Sequence, residues 1–141
     1  MTSINQISAG KLGFYMALQF LLKILYHPKY STKWRIVFWL NAALLLYLTL
    51  MPSVNYRLSI DNIDKVFHLV GFGAFALFLG LAYPRLQLWK VFFISSLLGI
   101  LVELIQSQIP YRSFSFADML ADWLGILIAI VFLKISKPTK E

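Results

Sequence analysis

The chain contains no cysteine, which removes disulfides, thiolate nucleophiles, iron–sulfur ligation and thiol zinc sites from consideration. Its loops must hold their shape by packing. No P-loop, dinucleotide-binding fingerprint, internal repeat or low-complexity tract occurs, so the phosphate-cradling glycine loops and repeat architectures are excluded. Charge is also scarce: 13% of the 141 residues are charged, with Asp and Glu together numbering only 6 against 13 Lys and Arg. Apolar residues take up the space, at 60% of the chain, with 12 Phe, 7 Tyr and 4 Trp. The mean hydropathy of +0.73 sets the chain apart from soluble domains, which run at about 45–50% apolar.

Four apolar stretches, at about 36–51, 65–83, 88–109 and 117–133, are long enough to be read as membrane spans, and prolines at 52, 84 and 110 close the first three. The expected fold is all-α: a polytopic membrane helical bundle of four transmembrane helices with short, antiparallel connections. A short helix precedes it. The run LGFYMALQFLLKILY at 12–26 is only 15 residues long and holds Lys23, which suits an interfacial or re-entrant helix better than a span and lacks the features of a signal peptide. The organisation is therefore 1–34 as an N-terminal segment, 35–134 as the four-helix membrane domain and 135–141 as a tail.

The net charge of +7 is distributed by side. Lys11, Lys23, Lys29, Lys33 and Arg35 precede the first span, Arg85 and Lys90 separate the second and third, and Lys134, Lys137 and Lys140 follow the fourth. The other side holds Arg57, Lys65 and Arg112. Ten against three places both termini in the cytoplasm by the positive-inside rule, and anionic lipid accounts for the basic excess without nucleic acid.

Against this apolar background, the residues most able to do chemistry gather at the outward span ends. IDNIDKVFHLVGFG puts Asp64 and His68 on one helical stripe with Gly71 and Phe75, His68 lying about 6 Å deeper than Asp64. Asp64 is thereby placed to orient the imidazole or to raise its pKa. Glu103 shares a face with Gln106, and with Ser95 and Gly99. Asp118 and Asp122 lie four apart on a face that continues through Gly125 and Ala129, so their charges repel unless a cation such as Arg112 or Lys65, or a proton, intervenes. An ionisable group near hydrocarbon is costly, which marks Glu103 most strongly.

Three chemistries remain open for this set: proton transfer between His68 and a carboxylate, anion binding by Arg112 and Lys65, and hard-metal coordination by the acids. No cofactor is expected. No metal site is assigned either, because one histidine with scattered carboxylates lacks the compact spacing of zinc motifs. Structural roles stand beside these. His68 and Gln106 could be interhelical hydrogen-bond partners, Lys65 could snorkel, Asp64 and Asp118 could serve as first-turn acids or caps, and the glycines could be packing devices. Asn41 reads as an isolated helix contact.

The runs DKVFH at 64–68, ELIQ at 103–106 and PYRSFSFADMLADWLG at 110–125 together resemble the VanZ-like family of small bacterial membrane proteins. The family pattern matches Asp64, Lys65 and His68, then Glu103 and Gln106, then Arg112, Asp118 and Gly125. Asp122 stands where the pattern has asparagine, a change that removes two donors and makes the site more acidic. The resemblance covers about 36–133. It implies an inner-membrane protein of the cell envelope, and the family takes its name from a protein linked to teicoplanin resistance.

On this resemblance and the residues together, catalytic or proton-handling roles are expected of Glu103, His68, Asp64 and Asp118, and substrate contacts of Arg112, Lys65, Gln106 and Asp122. The expected ligand is an anionic headgroup or lipid-linked envelope precursor, with a homo-oligomer or membrane partner also compatible. The alternative is a non-enzymatic scaffold or partner-binding module whose polar cluster is structural. A transporter fits less well, because the acids cluster near one face without a relay towards the other.

Overall fold

The computed structural model describes residues 13, 16, 20, 25–27, 30–50, 63–109 and 113–137. Four long helices carry the fold: α1 (Ser31–Leu50), α2 (Ile63–Ala82), α3 (Leu88–Gln106) and α4 (Phe116–Ser136). Each is 19–21 residues long, or about 30 Å at 1.5 Å per residue, the thickness of a bilayer core. Three of them, α2, α3 and α4, are both long and apolar enough to cross a membrane. Helix α1 matches them in length but carries Lys33 and Arg35 in its first turns and Asn41 mid-way. Ahead of it, Gly13, Met16, Phe20 and Leu25 are helical, the described part of a shorter preceding helix.

Compared with the sequence reading, α1 begins five residues earlier than expected and α4 runs three further, while α3 stops at Gln106 and leaves Ser107–Ile109 as a turn. Pro84 lies in the tight turn between α2 and α3, where Leu86 N–H donates to Tyr83 O at 2.8 Å. Pro52 and Pro110 fall outside the described residues.

The bundle is turned inside out relative to a soluble one. Phe67, Phe93, Leu120 and Ile135 point outward at 62–73% exposure, whereas His68, Ser95, Glu103, Gln106, Asp118 and Asp122 are buried. Hydrocarbon around the bundle accounts for both facts: apolar side chains lose nothing by facing lipid, and polar ones must find partners inside. The result is an all-α, membrane-embedded helical bundle.

Helix α2 is the hub. It packs most extensively on α4 and next on α1, with α3 completing the group. The α2–α4 crossing is a backbone contact made possible by two glycines. A Cβ on Gly73 would lie 3.1 Å from Gly125 O, and one on Gly125 would press into Leu69 O and sit 3.0 Å from Gly73 N. In lipid such close approach, rather than apolar burial, drives association. Against the other side of α2, α1 packs through aromatics, Phe38 lying 5.2 Å from Phe75 and Trp34 stacking on Phe78 at 6.0 Å between ring centres.

Because connected helices are antiparallel, the N-terminal ends of α2 and α4 meet the C-terminal ends of α1 and α3. The preceding helix docks at the opposite end: Trp34 Nε1 donates to Leu25 O at 3.0 Å, and the Tyr26 hydroxyl lies 3.0 Å from Ser136 Oγ. Burial raises the Tyr26 phenol above its ordinary pKa while the Ser136 hydrogen bond opposes the shift. The phenol remains neutral and able to donate. Phenylalanine at Tyr26 should leave the four-helix bundle folded but quicken proteolysis around residues 25–30, read by limited digestion, because the lost hydrogen bond is worth about 0.5–1.5 kcal/mol.

Candidate functional site

At the shared end, three helices converge on His68. The crossing at Gly73 and Gly125 draws the N-terminal halves of α2 and α4 together, and Gly99 opens space beside Asp122, where a Cβ would lie 2.9 Å from Oδ2. His68 Nδ1 sits 2.9 Å from Asp122 Oδ1, with the ring N–H donating to the carboxylate. The ring's other nitrogen, Nε2, faces Glu103 Oε1 at 3.9 Å. Phe72 stacks against the imidazole at 6.1 Å and 14° between planes. His68 is 7% exposed, Asp122 1% and Glu103 0%.

Glu103 is held by its second oxygen. Ser115 N–H donates to Oε2 at 3.0 Å, tying α3 to the residue that starts α4. Ser115 also caps that helix, its side-chain oxygen accepting from Asp118 N–H at 3.2 Å. This is the S-x-x-D signature of a helix start. Asp118 is therefore a first-turn acid, and Lys65 Nζ reaches it at 3.3 Å and Asp64 at 3.1 Å. Gln106 donates from Nε2 to Thr49 O at 2.6 Å, joining α3 to the end of α1.

The structure thus brings His68, Glu103, Asp118 and Asp122 into one buried cluster, with Lys65 and Gln106 at its margin. Asp64 is different: its side chain is 56% exposed and pairs with Lys65. The partner that orients His68 is Asp122, and the expectation that Asp64 would do so is corrected. A helical stripe places Asp64 and His68 on one side of α2, but at this crossing α4 covers His68 and leaves Asp64 at the mouth. Lys65 pairs with Asp118, and the imidazole hydrogen-bonds Asp122, so each of the two acids has its own partner. Arg112 lies outside the described residues, as do Arg57 and Asp61.

Some groups escaped the sequence reading. Ser115 was legible as a cap signature, although its N–H on Glu103 was not. Asn41, read as an isolated contact, lines a groove between α1 and α2 and holds a buried Oδ1 without a hydrogen-bond partner. That groove has a volume of about 690 Å3. Leu44, Leu48, Val70 and Ala74 form its apolar walls, and Asp64, His68, Asp118 and Gln106 stand at its polar end.

His68, Glu103 and Asp118 each offer one ligand atom, all within 4.8 Å of one another. The arrangement is chemically able to hold a proton between an imidazole and a carboxylate, or a cation among the three. Lys65–Asp118 and His68–Asp122 contacts link α2 to α4 at the same place.

No curated protein and no solved structure shows significant similarity to the chain. A family profile described as VanZ/LLP1, however, matches residues 28–137, a span that contains all four long helices and every residue of the buried cluster. With most of the chain inside that match, the protein belongs to the VanZ/LLP1 family.

Proposed function

We propose that this VanZ-family protein seats one membrane amphiphile in the α1–α2 groove, with an anionic headgroup, such as that of an envelope precursor, at the polar end. The supporting observation is the continuity of the groove, apolar along α1 and α2 and closing on His68, Asp118 and Gln106. A site for an amphiphile needs both surfaces in one cleft, with few but well-placed polar groups. In this reading Lys65 and Arg112 meet the anion, Glu103 and His68 position it or exchange a proton with it, and Gln106 and Asp122 hold the frame. Asp64 and Asp118 set the position of Lys65.

The charge distribution supports one orientation. Among the described residues, Lys33, Arg35, Arg85, Lys90, Lys134 and Lys137 all lie at the end opposite the cluster, and Lys65 is the basic residue beside it. With α1 as a fourth span, the positive-inside rule puts the basic end in the cytoplasm of a bacterial inner membrane and opens the polar end outward. An outward site that engages an envelope precursor fits the glycopeptide resistance associated with the family name.

The test is teicoplanin susceptibility in a bacterial host expressing the parent or Glu103→Gln, with membrane abundance matched. The parent is expected to protect, and the variant to return susceptibility to that of cells lacking the protein. Protection that survives in an equally abundant variant would remove Glu103 from the function, and a parent that gives none would detach this chain from the resistance role.

A second reading has its own observation. The bonds Lys65–Asp118, His68–Asp122, Glu103–Ser115 and Gln106–Thr49 each join different elements, as a scaffold or partner-binding module held together by polar contacts would require. It expects every cluster variant to lose folded protein and function in step.

A further inference from the structure

We infer that His68, Glu103 and Asp118 form a binding site for one divalent transition-metal ion, Zn2+ or Mn2+, open towards the α1–α2 groove. The ion site needs no amphiphile, but its role in holding a headgroup rests on the reading above.

The first observation is the histidine's orientation. Asp122 occupies Nδ1 at 2.9 Å, so the lone pair falls on Nε2, which faces Glu103 Oε1. A carboxylate on one ring nitrogen with the other free for a cation is the usual outer-shell support of a metal-binding histidine. The second is Glu103 itself. Its Oε2 accepts from Ser115 N–H, while Oε1 is buried without a hydrogen-bond partner and points into the gap before the imidazole. An unsatisfied buried carboxylate oxygen is costly, and a bound cation removes that cost.

Geometry and charge agree. Around an ion with bonds of about 2.0–2.2 Å, neighbouring ligand atoms of a tetrahedron stand about 3.4 Å apart. The 3.9 Å between Nε2 and Oε1 reaches that by a small side-chain rotation. Four carboxylates, Asp64, Glu103, Asp118 and Asp122, occupy this end among the described residues against Lys65 and His68. One imidazole with two carboxylates suits Zn2+ or Mn2+ better than Mg2+ or Ca2+, which favour all-oxygen shells.

Three protein ligands leave coordination open, as in metal sites that accept an exogenous ligand. His68 and Asp118 both line the groove, so the open position faces the headgroup. This accounts for how an acidic pocket could accept an anion: a phosphate or carboxylate oxygen would complete the shell.

The test uses the full chain in detergent, stripped with chelator and titrated with Zn2+ or Mn2+ alone by calorimetry, with bound metal measured after dialysis. The parent should take up about one ion per chain. Glu103→Gln should weaken binding at least about 100-fold and Asp122→Asn, which keeps an acceptor on Nδ1, about 10–100-fold. His27→Ala, at the chain's second histidine, should bind as the parent does. X-ray absorption of the loaded parent should show one imidazole nitrogen among oxygen ligands, a readout that does not depend on any variant folding. Uptake well below one ion, unchanged affinity in a well-folded Glu103→Gln, or a shell without imidazole would each overturn the site. Anionic lipid retained by metal-free protein would overturn the bridging role alone, whereas metal uptake without lipid retention would overturn the amphiphile reading and leave the metal site standing.

Discussion

Alanine at His68 is expected to destabilise the bundle by about 3 kcal/mol, because it removes the donor to a buried carboxylate. The imidazole is 2.9 Å from Asp122 and 3.9 Å from Glu103, and both acids are almost fully buried. Its removal leaves the Asp122 carboxylate without its donor and opens a gap beside Glu103, while Lys65 is already paired with Asp64 and Asp118. Unfolding in denaturant, with chelator present in every sample, would read the loss. Adding Asp122→Asn to His68→Ala should restore part of the stability, because the carboxylate left without its donor is gone. Their non-additivity measures the coupling between α2 and α4 at this point. A stability loss below about 1 kcal/mol, with no coupling to Asp122, would mean that the His68–Asp122 hydrogen bond does not hold α2 to α4.

Gly125→Ala should have an effect of similar size through a different cause. The added methyl would meet the carbonyl of Leu69 and the amide of Gly73, and backbone cannot rotate away as a side chain can. The helices must separate, so the expected cost is at the upper end of the usual 1–3 kcal/mol for overpacking, or larger where the crossing fails altogether. The consequence extends to the site, because Asp122 lies one turn from Gly125 and would withdraw from His68. Gly80→Ala first meets the side chain of Leu133 rather than backbone, and Gly13→Ala meets nothing within 4 Å. The expected order of thermal destabilisation in detergent is Gly125→Ala, then Gly80→Ala, then Gly13→Ala. An equal response at Gly125 and Gly13 would refute the close α2–α4 crossing.

These two substitutions separate what holds the site from what the site does. Glu103→Gln keeps the side chain's shape and retains a carbonyl oxygen for the Ser115 N–H, so it changes charge more than packing. Function lost there in stable protein would favour the headgroup reading. Parallel loss of stability and function across His68, Glu103 and Asp118 would favour the scaffold.

The membrane character, the family pattern and the end of the bundle at which chemistry gathers were all legible in the residues. Hydropathy is local, so uninterrupted runs such as 65–83 declare themselves without reference to neighbours. The side of each polar residue follows from counting spans, since antiparallel neighbours return Asp64, Glu103 and Asp118 to one end. Helical periodicity also identified the face shared by Asp118, Asp122 and Gly125, all of which are buried. The pairings could not be read in this way. Asp64 is four residues from His68 and Asp122 is 54, yet the distant acid binds the ring because the glycine crossing sets the rotation of α4 against α2. The metal ligands were equally hidden, one from each of three helices, with no compact spacing to reveal them.

Composition and periodicity therefore determined that this chain forms a membrane helical bundle with the acids of its helices towards one end, because transfer from water to hydrocarbon acts residue by residue. Tertiary structure alone decided which charge meets which, where a carboxylate oxygen is left without a donor, and that a groove opens beside it, because these depend on the distance and rotation between helices and no single helix contains them.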